Sequence, residues 1–217
     1  MSLSEKLLSV AENVTKVFKA GQDKFLHETM LSNGKRTFFG YMFRSCEDLV
    51  EPPYFDTSKS TSFQSMFYGC HSLKRIPQYD FSNASASPDL FVECYELEEL
   101  PEILLSKSQN TNYLFLGCKK LKRVAKLDMT KSTTGTNMFG SCFRLEDITF
   151  VGDIRPSVSF ADCPLLSNDS VNSIINALID NTEGTATRRL TLHPDVKARL
   201  TSEQITAITQ EKGWELA

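Results

Sequence analysis

Between residues 42 and 166 the apolar positions of this chain follow neither the period of a helix nor the alternation of a single strand. They return as a block, Phe-x-x-Cys-x-x-Leu-x-x-(apolar). Its copies are Phe43/Cys46/Leu49, Phe67/Cys70/Leu73, Phe91/Cys94/Leu97, Phe115/Cys118/Leu121, Phe139/Cys142/Leu145 and Phe160/Cys163/Leu166. The first five cysteines stand 24 residues apart and the last step is 21. A period in that range is the mark of a solenoid, in which each repeat is one coil and meets only its neighbours.

Aligned on the cysteine, other positions form columns. Four residues before it stand Met42, Met66, Leu90, Leu114, Met138 and Ser159. Six after it stand Pro52, Ile76, Leu100, Val124 and Ile148, and nine after it Phe55, Tyr79, Ile103, Leu127 and Val151. Stacked coils put like on like, about 4.8 Å apart where they pair as parallel strands. One Phe and one Leu buried per coil contribute on the order of 3–6 kcal/mol before entropy is subtracted. The polar linkers 56–62, 82–88 and 130–136 are rich in Ser, Thr and Asn and make the outer bends.

The two ends depart from the block. Residues 2 to 20 predict an amphipathic helix, opened by a Ser2/Glu5 capping box and stopped by Gly21. Its apolar stripe includes Leu7, Val10, Val14, Val17 and Phe18, which suits either an end cap on the first coil or an assembly seam. Asn33-Gly34 predicts a hairpin turn. After Leu166, Ser167 caps a helix whose one face carries Val171, Ile174, Ile175, Leu178 and Ile179. A short strand follows at 189–192. Thr201 and Gln204 then form a capping box for a helix with Ile205 and Ile208, and a last strand lies at 214–216. The expected organisation is therefore an N-terminal cap or attachment segment, 1–41, a six-copy array, 42–166, and a helix-strand-helix-strand cap, 167–217.

Charge adds a second pattern. Four and five residues after the cysteine stand Lys74-Arg75, then Glu98-Glu99, Lys122-Arg123 and Glu146-Asp147. The sign alternates from coil to coil, so stacking sets each pair between pairs of opposite charge, at roughly 0.2–1 kcal/mol per cross-strand contact. These eight residues read as an ion-pair ladder that fixes register, or as a surface that reads a ligand.

Composition narrows the chemistry. A net charge of −3 with no basic stripe excludes a nucleic-acid reader. No run reaches the roughly 18 apolar residues of a membrane span. Met1-Ser-Leu-Ser-Glu-Lys carries no basic start before an apolar run, so no secretory signal is expected. The six cysteines fall at one phase and predict a reduced, buried column rather than three disulfides. No Cys-x-x-Cys pair exists and His27, His71 and His193 share no phase, so neither metal nor cofactor is expected. No nucleophile with a base, no phosphate loop and no His-Glu-x-x-His motif points to an enzyme.

Met66-Phe-x-x-Cys-x-x-Leu-x-x-Ile-Pro77 resembles the repeat of BspA-like leucine-rich repeat proteins. That resemblance implies an α/β repeat solenoid: a right-handed stack of about 24-residue coils with short parallel strands, an N-terminal helix and an α/β C-terminal cap. The segment from Ser4 to Gly21, and the tail from Leu190 to Ala217, resemble the ends of tailed-phage and prophage structural proteins. This second resemblance implies a non-enzymatic virion component, made in the host cytoplasm and associated with tail, baseplate or fibre. Its partners would be other virion proteins and a host-surface protein or glycan, with a homo-oligomer possible through the N-terminal helix. The alternative is a bacterial leucine-rich-repeat module, cytoplasmic or on the surface, acting as scaffold, adhesin or inhibitor.

Overall fold

The structure is a computed structural model and describes residues 38–184 and 186–217. The expected N-terminal helix, with Leu7, Val10, Val14, Val17 and Phe18, and the Asn33-Gly34 turn lie outside those residues.

Each coil opens with a run of tight turns through the Phe-x-x-Cys-x-x-Leu block. In the first coil Arg44 N–H donates to Tyr41 O, Cys46 to Phe43 O and Leu49 to Cys46 O, at 3.0–3.1 Å. In the first five coils two positions hold the left-handed backbone that such turning requires. Five residues before the cysteine these are Tyr41, Ser65, Asp89, Tyr113 and Asn137; one before it, Ser45, Gly69, Glu93, Gly117 and Ser141, with φ from 47° to 80°. Alternate N–H groups then point at the next coil. Phe43 donates to Met66 O, Phe67 to Leu90 O, Phe91 to Leu114 O and Phe115 to Met138 O, at 2.9–3.0 Å. This ladder joins coils through backbone hydrogen bonds, without strand geometry.

Just after the block, in the third to fifth coils, the chain is extended. Strands β1 (Glu99–Leu104), β2 (Arg123–Asp128) and β3 (Asp147–Val151) form an open parallel sheet in that order. Leu100 pairs with Val124 and Ile103 with Leu127, so the predicted columns are present. The last column member differs. Between Val124 and Leu127 the register shifts, Leu127 faces Phe150, and Val151 is half-exposed beside Asp128. The larger Phe150 is buried and meets Phe139 and Phe160 edge-on.

The core runs the length of the solenoid. Its spine is a stack of parallel rings, Phe43 on Phe67 at 5.5 Å, Phe67 on Phe91 at 5.4 Å, Phe91 on Phe115 at 5.9 Å, Phe115 on Phe139 at 5.5 Å and Phe139 on Phe160 at 4.5 Å. Offset aromatic pairs of this kind add to the apolar burial.

Beyond Leu166 the coils lengthen. Helix α1 (Asn168–Ala177) starts at Ser167, whose hydroxyl accepts from Ser170 N–H. Strands β4 (Val158–Phe160), β5 (Arg189–Leu192) and β6 (Glu215–Leu216) make a second open parallel sheet. The Thr201/Gln204 capping box is formed and opens α3 (Ser202–Thr206), which runs into a π-helical turn at Ala207–Glu211. The predicted helix carrying Ile205 and Ile208 is thus α-helical to Thr206 and π-helical through Ile208, while the short helix α2 (Pro194–Lys197) has no counterpart in the sequence reading. Trp214 is buried and donates its indole N–H to Ile179 O at 2.9 Å, tying the end of the chain to the helix exit.

Candidate interaction surface

Three long surfaces run along the stack: the turn edge, the strand edge and the Ser/Thr-rich bends. The cysteines belong to none of them. All six are free; five are buried and Cys46, in the first described coil, is half-buried. The buried thiols reach back one coil: Cys70 Sγ donates to Phe43 O at 3.0 Å, Cys94 to Phe67 O at 3.2 Å, Cys118 to Phe91 O at 3.1 Å and Cys142 to Phe115 O at 3.2 Å, with Cys163 more distant from Phe139 O at 3.8 Å. Burial pushes the Cys46 thiol up to about 11 and raises the other five well above the ordinary thiol range. Thiols held protonated are poor nucleophiles and poor metal ligands. Among the described residues, no cluster of three or more His, Cys, Asp or Glu side chains could hold a metal ion.

The alternating charges lie on the strand edge, as their phase predicts. Glu99 is the register partner of Arg123, and Arg123 that of Asp147. Glu98 meets Lys122 at 2.9 Å, and that ammonium holds its carboxyl below the usual carboxylate value. Arg75 pairs back to Glu51 at 2.8 Å, which extends the ladder one coil further than the sequence reading took it. Lys126 pairs with Glu102 at 2.6 Å between β1 and β2, and Lys120 with Glu96 at 2.7 Å between the turns that precede those strands. Among the described residues, Lys74, Glu99, Arg123, Glu146 and Asp147 make no ion pair within 4.0 Å, although Asp147 accepts from Ser167 at 3.0 Å. This face therefore carries both signs in near balance, with its closest charges already paired across coils.

The turn edge is different in character. Immediately after the cysteine, successive coils present Glu47, His71, Tyr95, Lys119 and Phe143. His71 stacks on Tyr95 at 4.8 Å with 12° between the rings, and Lys119 Nζ lies 4.5 Å from the centre of the same ring. The two imidazole nitrogens of His71 lie 3.8 Å from Glu47 and 3.8 Å from Glu93. One coil back, the Arg44 guanidinium covers Tyr68 at 4.7 Å and reaches Tyr41 at 5.6 Å. Further along, Phe143 is 48% exposed and Leu165 49%. Tyr41 and Tyr113 add exposed rings on the same turns. The result is a stripe of aromatic and cationic groups held in place by each other.

Reading for apolar columns missed this stripe, because its members differ in type and stand at several positions around the cysteine. The available signal was the run of large side chains one residue after it, His71, Tyr95, Lys119 and Phe143, with Arg44 and Tyr68 two residues before it. The bends hold a second unread motif, Asp-x-Ser/Thr. Asp56, Asp80, Asp128 and Asp180 each accept the N–H two residues on, at 2.8–3.0 Å. These are Asx turns, which close the bends locally.

A profile of the BspA type leucine rich repeat region matches residues 36–167 as 6 copies. No curated protein and no solved structure matches the chain.

Proposed function

Because this chain belongs to the BspA-type leucine-rich repeat family, a non-enzymatic scaffold family, we propose that it is a binding module whose turn edge docks on a protein partner. Leucine-rich repeats generally serve protein–protein contact, and solenoids do so through long continuous surfaces. The observation that carries the assignment is the stripe of Tyr41, Arg44, Tyr68, His71, Tyr95, Lys119 and Phe143. Tyr and Arg are enriched at protein interfaces, where rigid rings supply contact area at small entropic cost. On the strand edge, Lys74, Arg75, Glu98, Glu99, Lys122, Arg123, Glu146 and Asp147 serve chiefly to zip coils together and set register.

The finer reading is a virion component of a tailed phage, associated with tail, baseplate or fibre, that acts in attachment or host-surface recognition. What supports it is the resemblance of the two ends to phage structural proteins. In that reading, residues 1–41 attach the chain to the particle, 42–166 recognise, and 167–217 cap the array. The stack is right-handed, as crossover connections between parallel strands are in nearly all proteins.

The test uses the wild-type chain and Tyr95→Ala/Phe143→Ala, the variant first checked for an unchanged melting point. Gradient sedimentation reads whether each chain travels with particles, and binding of those particles to host cells reads recognition. Both chains travelling with particles, and only the wild-type particles binding host cells, supports the whole reading. If both kinds of particle bind alike, the turn edge is not the docking surface. If neither chain travels with particles, the virion assignment fails.

A further inference from the structure

The inter-coil ladder lapses at one place. In four successive coils the N–H groups five and three residues before the cysteine donate to the next coil, ending with Tyr113 to Thr136 O and Phe115 to Met138 O. In the fifth coil those groups belong to Asn137 and Phe139, and neither donates to a carbonyl of the sixth. The cause is the shortened step, 21 residues in place of 24. Ser141, the next donor in line, turns instead to the Asp162 carboxylate at 2.7 Å.

Where the ladder lapses, a groove of about 400 Å³ crosses three layers of chain, residues 133–137, 156–159 and β5. That volume falls in the range of small-ligand sites, about 300–1,000 Å³. No carboxylate lines it, whereas Arg188, Arg189 and several hydroxyls do. Arg189 is engaged: its Nη2 and Nε lie 2.7 Å and 3.1 Å from one Glu215 oxygen. Arg188 is not. Its guanidinium makes no hydrogen bond or ion pair with any described residue, and its Nε is shielded from solvent without a partner. An unpaired guanidinium donor in a sheltered site is costly, and the group that answers it best is a forked anion such as a carboxylate.

The hydroxyls narrow the choice. Ser157 and Ser159 each accept from a backbone N–H, at 3.0 Å and 3.3 Å, which leaves their own O–H groups to donate into the groove. Thr136 and Thr191 make no side-chain hydrogen bond among the described residues. We infer that this groove is a sugar-acid subsite: the carboxylate of a uronic acid unit sits on Arg188, and its ring hydroxyls meet Thr136, Ser157, Ser159 and Thr191. Its lining shares no residue with the aromatic stripe, so it stands or falls apart from the docking reading above.

The experiment is calorimetric titration of the full chain with galacturonate, galactose, inorganic phosphate and an acidic peptide, on wild type, Arg188→Ala and Arg144→Ala. Arg144 is an exposed cation outside the groove. Galacturonate binding that Arg188→Ala weakens by about tenfold or more, and Arg144→Ala leaves alone, is the expected result. Because Arg188 holds no partner among the described residues, its alanine variant keeps the wild-type melting point; should it melt early, Arg188→Lys, which keeps stem and charge but loses the fork, replaces it. Three results overturn the assignment: no galacturonate binding up to about 10 mM, equal binding by Arg188→Ala, or phosphate or the acidic peptide binding as tightly as galacturonate.

Discussion

The repeated cysteine fills a small apolar site and also donates to the carbonyl of the previous coil, so it packs and bonds at once. Alanine at position 118 keeps neither the sulfur volume nor the donor, although Phe91 O stays served by Cys94 N–H at 3.3 Å. Cys118→Ala is expected to cost about 1–2 kcal/mol, measured by chemical unfolding. The same burial sets reactivity. Under native conditions near neutral pH, a thiol-alkylating reagent should add once and slowly, at Cys46, and six times after denaturation; mass spectrometry of the adducts reads this directly. Stability follows the same sign. A thiol whose folded pKa is raised favours the fold below its unfolded value, roughly 8.5. That contribution falls away as pH rises past it and through about 11 for Cys46. The melting point should therefore decline on the alkaline side, and a flat profile from about pH 8 to pH 11 would contradict the burial argument.

At the level of the strands, Phe150 and Val151 make a clean comparison. Column spacing points to Val151, but the register shift in β3 gives the inward place to its neighbour. Phe150→Ala should cost about 3–5 kcal/mol and Val151→Ala well under that, since the valine is half-exposed. The columns and the Phe, Cys and Leu spine were legible because a strict period of 24 imposes one environment on each position. The bulge was not, because it trades one residue of register for a better-filled core near the shortened last step. The stripe and the Asx turns were written in the sequence too, but in a code of position rather than of hydrophobicity. The rungs between β1 and β2 offer a further test. Glu102→Lys should lower the melting point by setting two cations opposite each other, and adding Lys126→Glu should restore it. Thermal scans of both variants read a difference of a few tenths to about 1 kcal/mol.

In a solenoid the coils are nearly interchangeable, and the alternating charges impose a parity on that exchange. Removing residues 95–118 takes out one period and rejoins Cys94 to Lys119, so every apolar column and the thiol spine realign. The charges do not. Lys122-Arg123 then falls beside Lys74-Arg75, and four cations crowd one edge. Removing residues 95–142 takes out two periods and rejoins Cys94 to Phe143, which sets Glu146-Asp147 beside Lys74-Arg75 and keeps opposite signs adjacent. Both shortened chains should fold, because stability is approximately a sum over coils and their interfaces. They should answer salt in opposite directions. Screening relieves the like-charged seam of the single deletion, so its melting point rises between about 0.05 M and about 0.5 M salt, while that of the double deletion holds or drops. If the two chains respond alike, the alternation is not what sets one coil against the next, and the apolar columns alone choose the register.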